Sequence, residues 1–487
     1  MIVNDTHPNH SNVAVKQGLG LRRPEALPGP RGLPLIGNAH QIKLSRLHTT
    51  LEDWAKSYGP FYRVRLGRRS AVVVSDSALA HHVLQERPEN YRRLSAIEEV
   101  LEELGSNGVF SAEGARWKRQ RKLIMPAFSM RQLRALYPGI AADTERLRRI
   151  WEPAAQRREI VGVLDDLVRY TVDVTSRVVF GHEMESLANP DQPLHRHLNR
   201  IFSTINRRVN AVLPYWRYVK LPQDFATDRS LKAVHHQLGQ LIVEARRRLD
   251  NDPERSANPV TLLDTMLLTQ RSAVAEERLS DHDILSNLLT LMLAGEDTTS
   301  NTLAWMLHYL AHYPEVQERL RSDAMAGLGP ALVAASFEDV MNQRYAAAVA
   351  LETLRLRSVA PLFFFESARD VVLGDVCLPA GTAIVILSRV VSTSGQSFSA
   401  PEAFLPQRWL DQERNQALHT PRDALVFGAG PRTCPGRPLA LFESSIVISM
   451  VARNFRVEPV SGFEEVEEQF DFTMRPSGLR IRLSPLG

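Results

Sequence analysis

Cysteine is nearly absent from the chain: Cys377 and Cys434 are the two cysteines in 487 residues. That count excludes the disulfide frameworks of small secreted folds. No apolar run reaches the ~18 uninterrupted residues that a membrane span needs, and no signal peptide opens the sequence. Residues 1–23 are polar and lack an apolar core, so they are expected to form a disordered leader ahead of one domain, 24–487. Net charge is also scarce, because 59 Lys+Arg against 55 Asp+Glu leave +4. That is too mild for a nucleic-acid partner, and neither a zinc-finger spacing nor basic residues interleaved with aromatics are present. A reducing, cytoplasmic protein without a membrane span is expected.

What the chain does contain changes texture along its length. Leu27–Asn38 reads L-P-G-P-R-G-L-P-L-I-G-N, whose three prolines stiffen an extended entry. Phe61–Ser75 alternates like a short strand pair. Helical patterns dominate from about 95 to 355. The best begins after Ser280, where S-x-x-D with Asp283 makes a capping box, and runs to Tyr313 with Pro314 as the stop. At ~1.5 Å per residue it spans about 45–50 Å, enough to cross a whole domain. After 358 come short strands (Val371-Val-Leu-Gly, Leu378-Pro-Ala-Gly, Ala383-Ile-Val-Ile-Leu), and Leu439–Phe455 returns to helix. There is no internal repeat and no linker after residue 30. Length alone allows about three domains, but the motifs below lie far apart in sequence and serve one site. The expected fold is therefore a single large domain, mainly α with small β-sheets (α+β).

The strongest chemical signal is Phe427–Gly436, F-G-A-G-P-R-T-C-P-G. Two prolines and several glycines around one cysteine make a rigid, close-approaching loop with a helix starting just after it. There Cys434 receives backbone N–H bonds and feels the positive helix end, both of which favour thiolate. Thiolate is the ligand that pushes electron density onto haem iron. Cys377, in Gly374-Asp-Val-Cys-Leu-Pro, reads as a small hydrophobe.

The loop resembles the haem-binding signature of the cytochrome P-450 family, and other motifs similar to that family's follow in order. Trp117-Lys-Arg-Gln-Arg121 resembles W-x-x-x-R, and Ala294-Gly-Glu-Asp-Thr-Thr299 the oxygen-activating helix motif. Glu352-Thr-Leu-Arg355 resembles E-x-x-R, and Phe404-Leu-Pro-Gln-Arg408-Trp the F-x-P-x-R-[FW] segment. The resemblance runs from about Pro28 to the end and is that of a soluble bacterial-type member.

It implies a haem b cofactor with Cys434 as the axial metal ligand. Trp117, Arg121 and Arg432 would bind the haem propionates, since buried anions need basic partners, and Phe427 would pack near the thiolate. Asp297 and Thr298 would be catalytic, delivering protons during oxygen activation. Gly295 weakens the long helix by about 1 kcal/mol relative to Ala, which suits a groove there. Glu296 lies off that face and is expected at solvent or in a salt bridge. Glu352, Arg355 and Arg408 would form a buried structural triad. Ala294, Ala360 and Phe472 would line an apolar substrate pocket reinforced by Phe363 to Phe365, with 85–110 and 195–225 as its mouth. Two stretches depart from the family pattern: Pro361-Leu-Phe-Phe-Phe-Glu366 lacks a propionate arginine, and Ser392-Thr-Ser394 replaces a His-Arg-Asp-like triplet. Arg432, Trp117 and Arg121 would then carry more of that load.

The implied reaction is insertion of one oxygen atom from O2 into an apolar small molecule by a monomeric monooxygenase. No fused reductase is expected, so electrons from NAD(P)H would arrive through a ferredoxin or flavodoxin with its reductase. The run Trp117–Lys122 carries four positive charges in six residues and would dock that partner through Lys118, Arg119 and Lys122, with Arg121 turned inward. Two alternatives stay open: a peroxygenase or isomerase on the same fold, which often lacks the acid–alcohol pair, and a haem-binding sensor without turnover.

Overall fold

The computed structural model describes residues 20–67, 69–189, 193–211, 213–271, 278–410, 423–462 and 466–486. Residues 1–19 of the expected leader lie outside the described residues. Arg22 is tied to the body by an ion pair to Asp375 at 2.7 Å and a bridge to Val376.

The organising element is the helix Asp281–His312. Its start follows from the capping box: Ser280 Oγ accepts from the Asp283 N–H at 3.0 Å, and Asp283 Oδ2 accepts from the Ser280 N–H at 3.2 Å. Most of its residues are buried, as expected of a helix that is apolar nearly all round and therefore runs through a core. It is continuous through Gly295. A Cβ at Gly295 would overlap the hydroxyl of Thr175 on the helix Val163–Phe180.

Around this helix pack Val163–Phe180, Arg344–Leu356 and Arg437–Asn454. The last begins two residues earlier than the apolar pattern suggested, with Pro438 in its first turn where a missing N–H costs nothing, and Phe455 already belongs to a strand. To one side stands a five-stranded mixed sheet in the order Phe61–Leu66, Arg69–Val74, Ala383–Leu387, Leu362–Ser367, Tyr91–Arg93. The contact between Arg69–Val74 and Ala383–Leu387 is parallel and the others are antiparallel. A three-stranded sheet and two hairpins complete the β portion. The fold is mainly α with small sheets.

Strand periodicity corrects one expectation about the pocket. Successive residues of a strand point to opposite faces, so Phe363 and Phe365 turn together into a small core with Val72, Val74 and Tyr91. Phe364 alone of the three packs against the main core. Among the described residues no helix is long and apolar enough to cross a membrane.

Candidate active site around Cys434

The cysteine loop is shaped from behind by a buried ion cluster. Glu352 and Arg355, one helical turn apart, pair through two contacts of 2.8 Å and are both fully buried. Arg408 reaches Glu352 at 3.1 Å, and the indole N–H of Trp409 donates to its other oxygen at 2.9 Å. Trp409 was not among the expected members, although it closes the Phe404–Trp409 motif. Arg355 and Arg408 spend their remaining donors on carbonyls of Ala403, Ser399 and Ala400. Such satisfaction is what makes a buried charge tolerable, and removing one partner would strand the rest. Arg355 also donates to the carbonyl of Ser392, whose hydroxyl accepts the Leu425 N–H at 2.9 Å. Ser392, from the departing stretch, thus connects the triad to the start of the cysteine loop.

In the loop, the Cys434 N–H donates to the Phe427 carbonyl at 2.9 Å, and the Arg437 guanidinium lies 5.6 Å from the Phe427 ring centre. Gly430 is required twice over, by its φ of +70° and because a Cβ would strike the backbone carbonyl of Leu84. The Cys434 sulfur accepts from the N–H groups of Gly436 and Arg437 at the helix start. Burial pushes its thiol up, against those N–H groups and the charges of Arg121 and Arg437. Cys434 keeps accessible surface, so its sulfur is open to a ligand. Cys377 is half-buried on the strand Val376–Leu378.

Beside the loop, guanidinium groups converge. Arg432 lies 4.4 Å over the Trp117 ring, donates to Glu113 at 2.6 Å and to the Ala112 carbonyl at 2.7 Å, and keeps buried Nε and Nη1 without partners. Arg121 donates to the Thr433 carbonyl at 2.7 Å. Two further arginines, missed in the sequence reading, join them. Arg87 Nη2 is 3.6 Å from Glu113, and the buried Nε and Nη2 make no hydrogen bond. Arg93 lies 3.7 Å over the Phe110 ring and donates Nε to the Phe110 carbonyl at 2.8 Å. Burial, then Arg93 and Arg432, pull Arg87 down to about 8, and burial followed by Arg432 pulls Arg93 down to about 9. One carboxylate, Glu113, serves Arg87 and Arg432 and also accepts the backbone N–H of Arg93. Cations this close with orphaned donors fit an anion bearing carboxylates. The donor set therefore fits a haem, with a sulfur ligand in one wall and guanidinium groups for the propionates.

The central helix supplies another wall. Ala294 is exposed in the midst of buried neighbours, and Gly295, Asp297 and Thr298 are partly exposed. Thr298 donates its hydroxyl to the Ala294 carbonyl at 2.7 Å. Asp297 accepts a hydrogen bond from the Thr473 hydroxyl, while its own carbonyl accepts from Asn301 at 2.7 Å. Burial raises the Asp297 carboxyl, opposed by Thr473, Arg475 and Asn301. Glu296 is not at solvent: it is buried, and its carboxylate meets His195 Nδ1 at 3.0 Å. Phe472 contacts Phe110 at 6.1 Å and Phe202 at 5.7 Å, edge to face. Ala360 is half-buried, its carbonyl taken by Ser388 at 2.6 Å. Contacts therefore run from Asp297 through Thr473 and Phe472 to Phe110 and Arg93, and through Glu113 to Arg432 in the cysteine loop.

A family model for cytochrome P-450 matches residues 27–483. The chain belongs to the cytochrome P-450 family. This P-450 is 28% identical over 438 residues to cyclooctat-9-en-7-ol 5-monooxygenase from Streptomyces melanosporofaciens, covering 89% of this chain and 90% of that protein. It is 27% identical over 466 residues to a self-sufficient cytochrome P-450 monooxygenase from Penicillium expansum, covering 94% of this chain but 43% of that relative, so it spans less than half of the latter's length. The crystal structure of a cytochrome P-450 superposes with a TM-score of 0.82 at 23% identity, covering 94% of this chain and 99% of that one. That likeness establishes the fold.

Proposed function

We propose that this P-450 is a haem-thiolate monooxygenase that inserts one oxygen atom from O2 into an apolar organic substrate. Electrons would come from NAD(P)H by way of a ferredoxin or flavodoxin with its reductase. The observation that carries the reading is the continuous set of walls joining the Cys434 thiol, the arginine cluster and the Asp297–Thr298 pair.

A thiolate-ligated haem supplies O2 activation and oxygen-atom transfer when bound. The chain's own groups do the rest. Cys434 contributes its sulfur once the proton has left, and the N–H groups of Gly436 and Arg437 hold that charge in place. Arg87, Arg93, Arg121 and Arg432, with Trp117 stacked beneath Arg432, would orient the propionates. Thr298 keeps its hydroxyl on the Ala294 carbonyl, one turn back on the helix, where a small rotation turns it to the cavity. Asp297, partly exposed and with its carboxyl raised, is suited to hold and pass on a proton. The rings of Phe110, Phe202 and Phe472 offer no hydrogen-bonding group, exclude water and favour hydrocarbon. Relatives named for cyclooctat-9-en-7-ol and carotene are in keeping with that choice.

The test is Asp297→Asn and Thr298→Ala in the haem-loaded enzyme. Haem content and substrate binding should persist while product per NAD(P)H falls, by up to about 10²–10⁴ in rate, with peroxide released in its place. Unchanged rate and coupling in both variants would remove the basis for the reading.

A further inference from the structure

The geometry points to Thr473 as a positioning residue for proton delivery, mounted on a strained hairpin tip that also roofs the pocket. This inference rests on the reading of Asp297 as the proton-delivering acid. The strands Glu467–Phe470 and Met474–Ser477 pair Phe470 with Met474, and the Asp471 N–H donates to the Thr473 carbonyl at 2.8 Å. Phe472 is left alone at the tip with φ of +82°. A bulky side chain takes that conformation when its surroundings over-determine it, and such positions concentrate at functional sites.

The surroundings are on both flanks. The Phe472 ring is held edge to face by Phe110 and Phe202. Asp471 is pinned by Arg475 at 3.0 Å and Gln469 at 2.6 Å, and the Met474 N–H donates to the Val359 carbonyl at 2.9 Å. The adjacent residue, Thr473, gives its hydroxyl to the Asp297 carboxylate. The neighbouring charged groups are Arg475 and Asp471, paired with each other, and Glu296, paired with His195. The Thr473 hydroxyl fixes where Asp297 Oδ2 points, with Asn301 as a second side-chain donor to the carboxyl. Because it follows Phe472 directly on a tip with no slack, a substrate that displaces the ring also moves the hydroxyl. Pocket occupancy thereby reaches the acid through a single peptide unit.

The experiment follows the carboxyl itself. In the ferric holoenzyme, without turnover, the infrared C=O stretch of protonated Asp297 is identified as the band lost in Asp297→Asn, and its midpoint is titrated against pH. A donated hydrogen bond favours the carboxylate, so Thr473→Val should raise the midpoint by about one pH unit, and Thr473→Ser should restore it. The pH dependence of product per NAD(P)H should move in the same direction. Phe472→Gly keeps the hydroxyl but frees the tip, and should raise the midpoint as well. It also covers the case in which Thr473→Val fails to take up haem. A wild-type midpoint in Thr473→Val, or in Phe472→Gly where Thr473→Val does not fold, overturns the positioning role. Full coupling in Asp297→Asn fails the underlying acid assignment instead, whatever Thr473 does.

Discussion

Arg93 stands directly across from Phe365 at the edge of the five-stranded sheet. The strand that carries Phe365 has no arginine of its own, and the neighbouring edge strand brings a guanidinium to the same end of the site. On the proposed reading, Arg93 would stand in for the arginine absent between Pro361 and Glu366. If Arg93 and Arg432 grip propionates, Arg93→Gln and Arg432→Gln should each lose a charge-assisted bond of about 1.5–3 kcal/mol. Haem transfer to an apoprotein acceptor, followed by the Soret band, should then run roughly ten- to a hundredfold faster. Wild-type transfer rates in both variants would assign the arginines to the protein alone.

The two cysteines make opposite predictions. Cys434 is exposed, receives two backbone N–H bonds and lies near the charges of Arg121 and Arg437. Cys377 is half-buried in a hairpin strand. The reduced, CO-bound protein should show the red-shifted Soret band of thiolate ligation. Cys434→Ala should abolish that band and Cys377→Ala should keep it; the reverse pattern would refute the assignment.

Legibility in the sequence followed how local each interaction is. The capping box at Ser280 and the Glu352–Arg355 pair each join residues three positions apart, so spacing showed that they could form, while the burial of the pair came from the family resemblance. The strands at Phe61, Val371 and Ala383 followed from short apolar runs with turn punctuation. Arg87, Arg93 and Thr473 could not be read this way. Their roles depend on a register between distant strands and on a hairpin tip reaching the central helix, and an arginine destined for burial looks in sequence like any surface arginine. The run Phe363–Phe365 shows the converse error, where a plausible functional reading gave way to strand alternation.

Acid stability should depend on Glu468. It accepts from His48 at 2.9 Å, from Arg357 at 2.7 Å and from Arg389 at 2.8 Å, and Arg389 also holds Glu52. Burial alone would raise this carboxyl, but His48, Arg389 and Arg357 outweigh it and hold it down to about 2. A depressed carboxyl stabilises the fold fully above its unfolded value of about 4.3 and loses that contribution as pH falls toward the folded value. The network should therefore contribute about 3 kcal/mol at neutral pH, at ~1.4 kcal/mol per pH unit, and fade between about pH 5 and 2. Melting temperature followed through that window should drop more steeply for wild type than for Glu468→Gln. Parallel curves would mean that the network does not bear on acid stability.

The basic helix Gly114–Ile124 is less free than its charge density suggested. Arg119 lies 3.8 Å from Asp283 at the start of the central helix, and Arg121 is turned inward to the Thr433 carbonyl. Lys118 is 63% exposed and meets Glu89 at 3.3 Å, and Lys122 is exposed. The docking surface proposed for an acidic ferredoxin or flavodoxin thus narrows to Lys118 and Lys122, on the helix whose Arg121 touches the cysteine loop. Electrostatic steering by such a patch acts on the on-rate and weakens with salt, since the Debye length is about 8 Å at physiological ionic strength. Lys118→Glu with Lys122→Glu should slow reduction by an acidic partner by about tenfold at low salt, with the difference shrinking as salt rises. Substrate affinity should not change, because neither side chain belongs to the pocket walls. Stopped-flow reduction across a salt series decides the matter: identical rates for variant and wild type at every ionic strength would make this face an ordinary solvated surface.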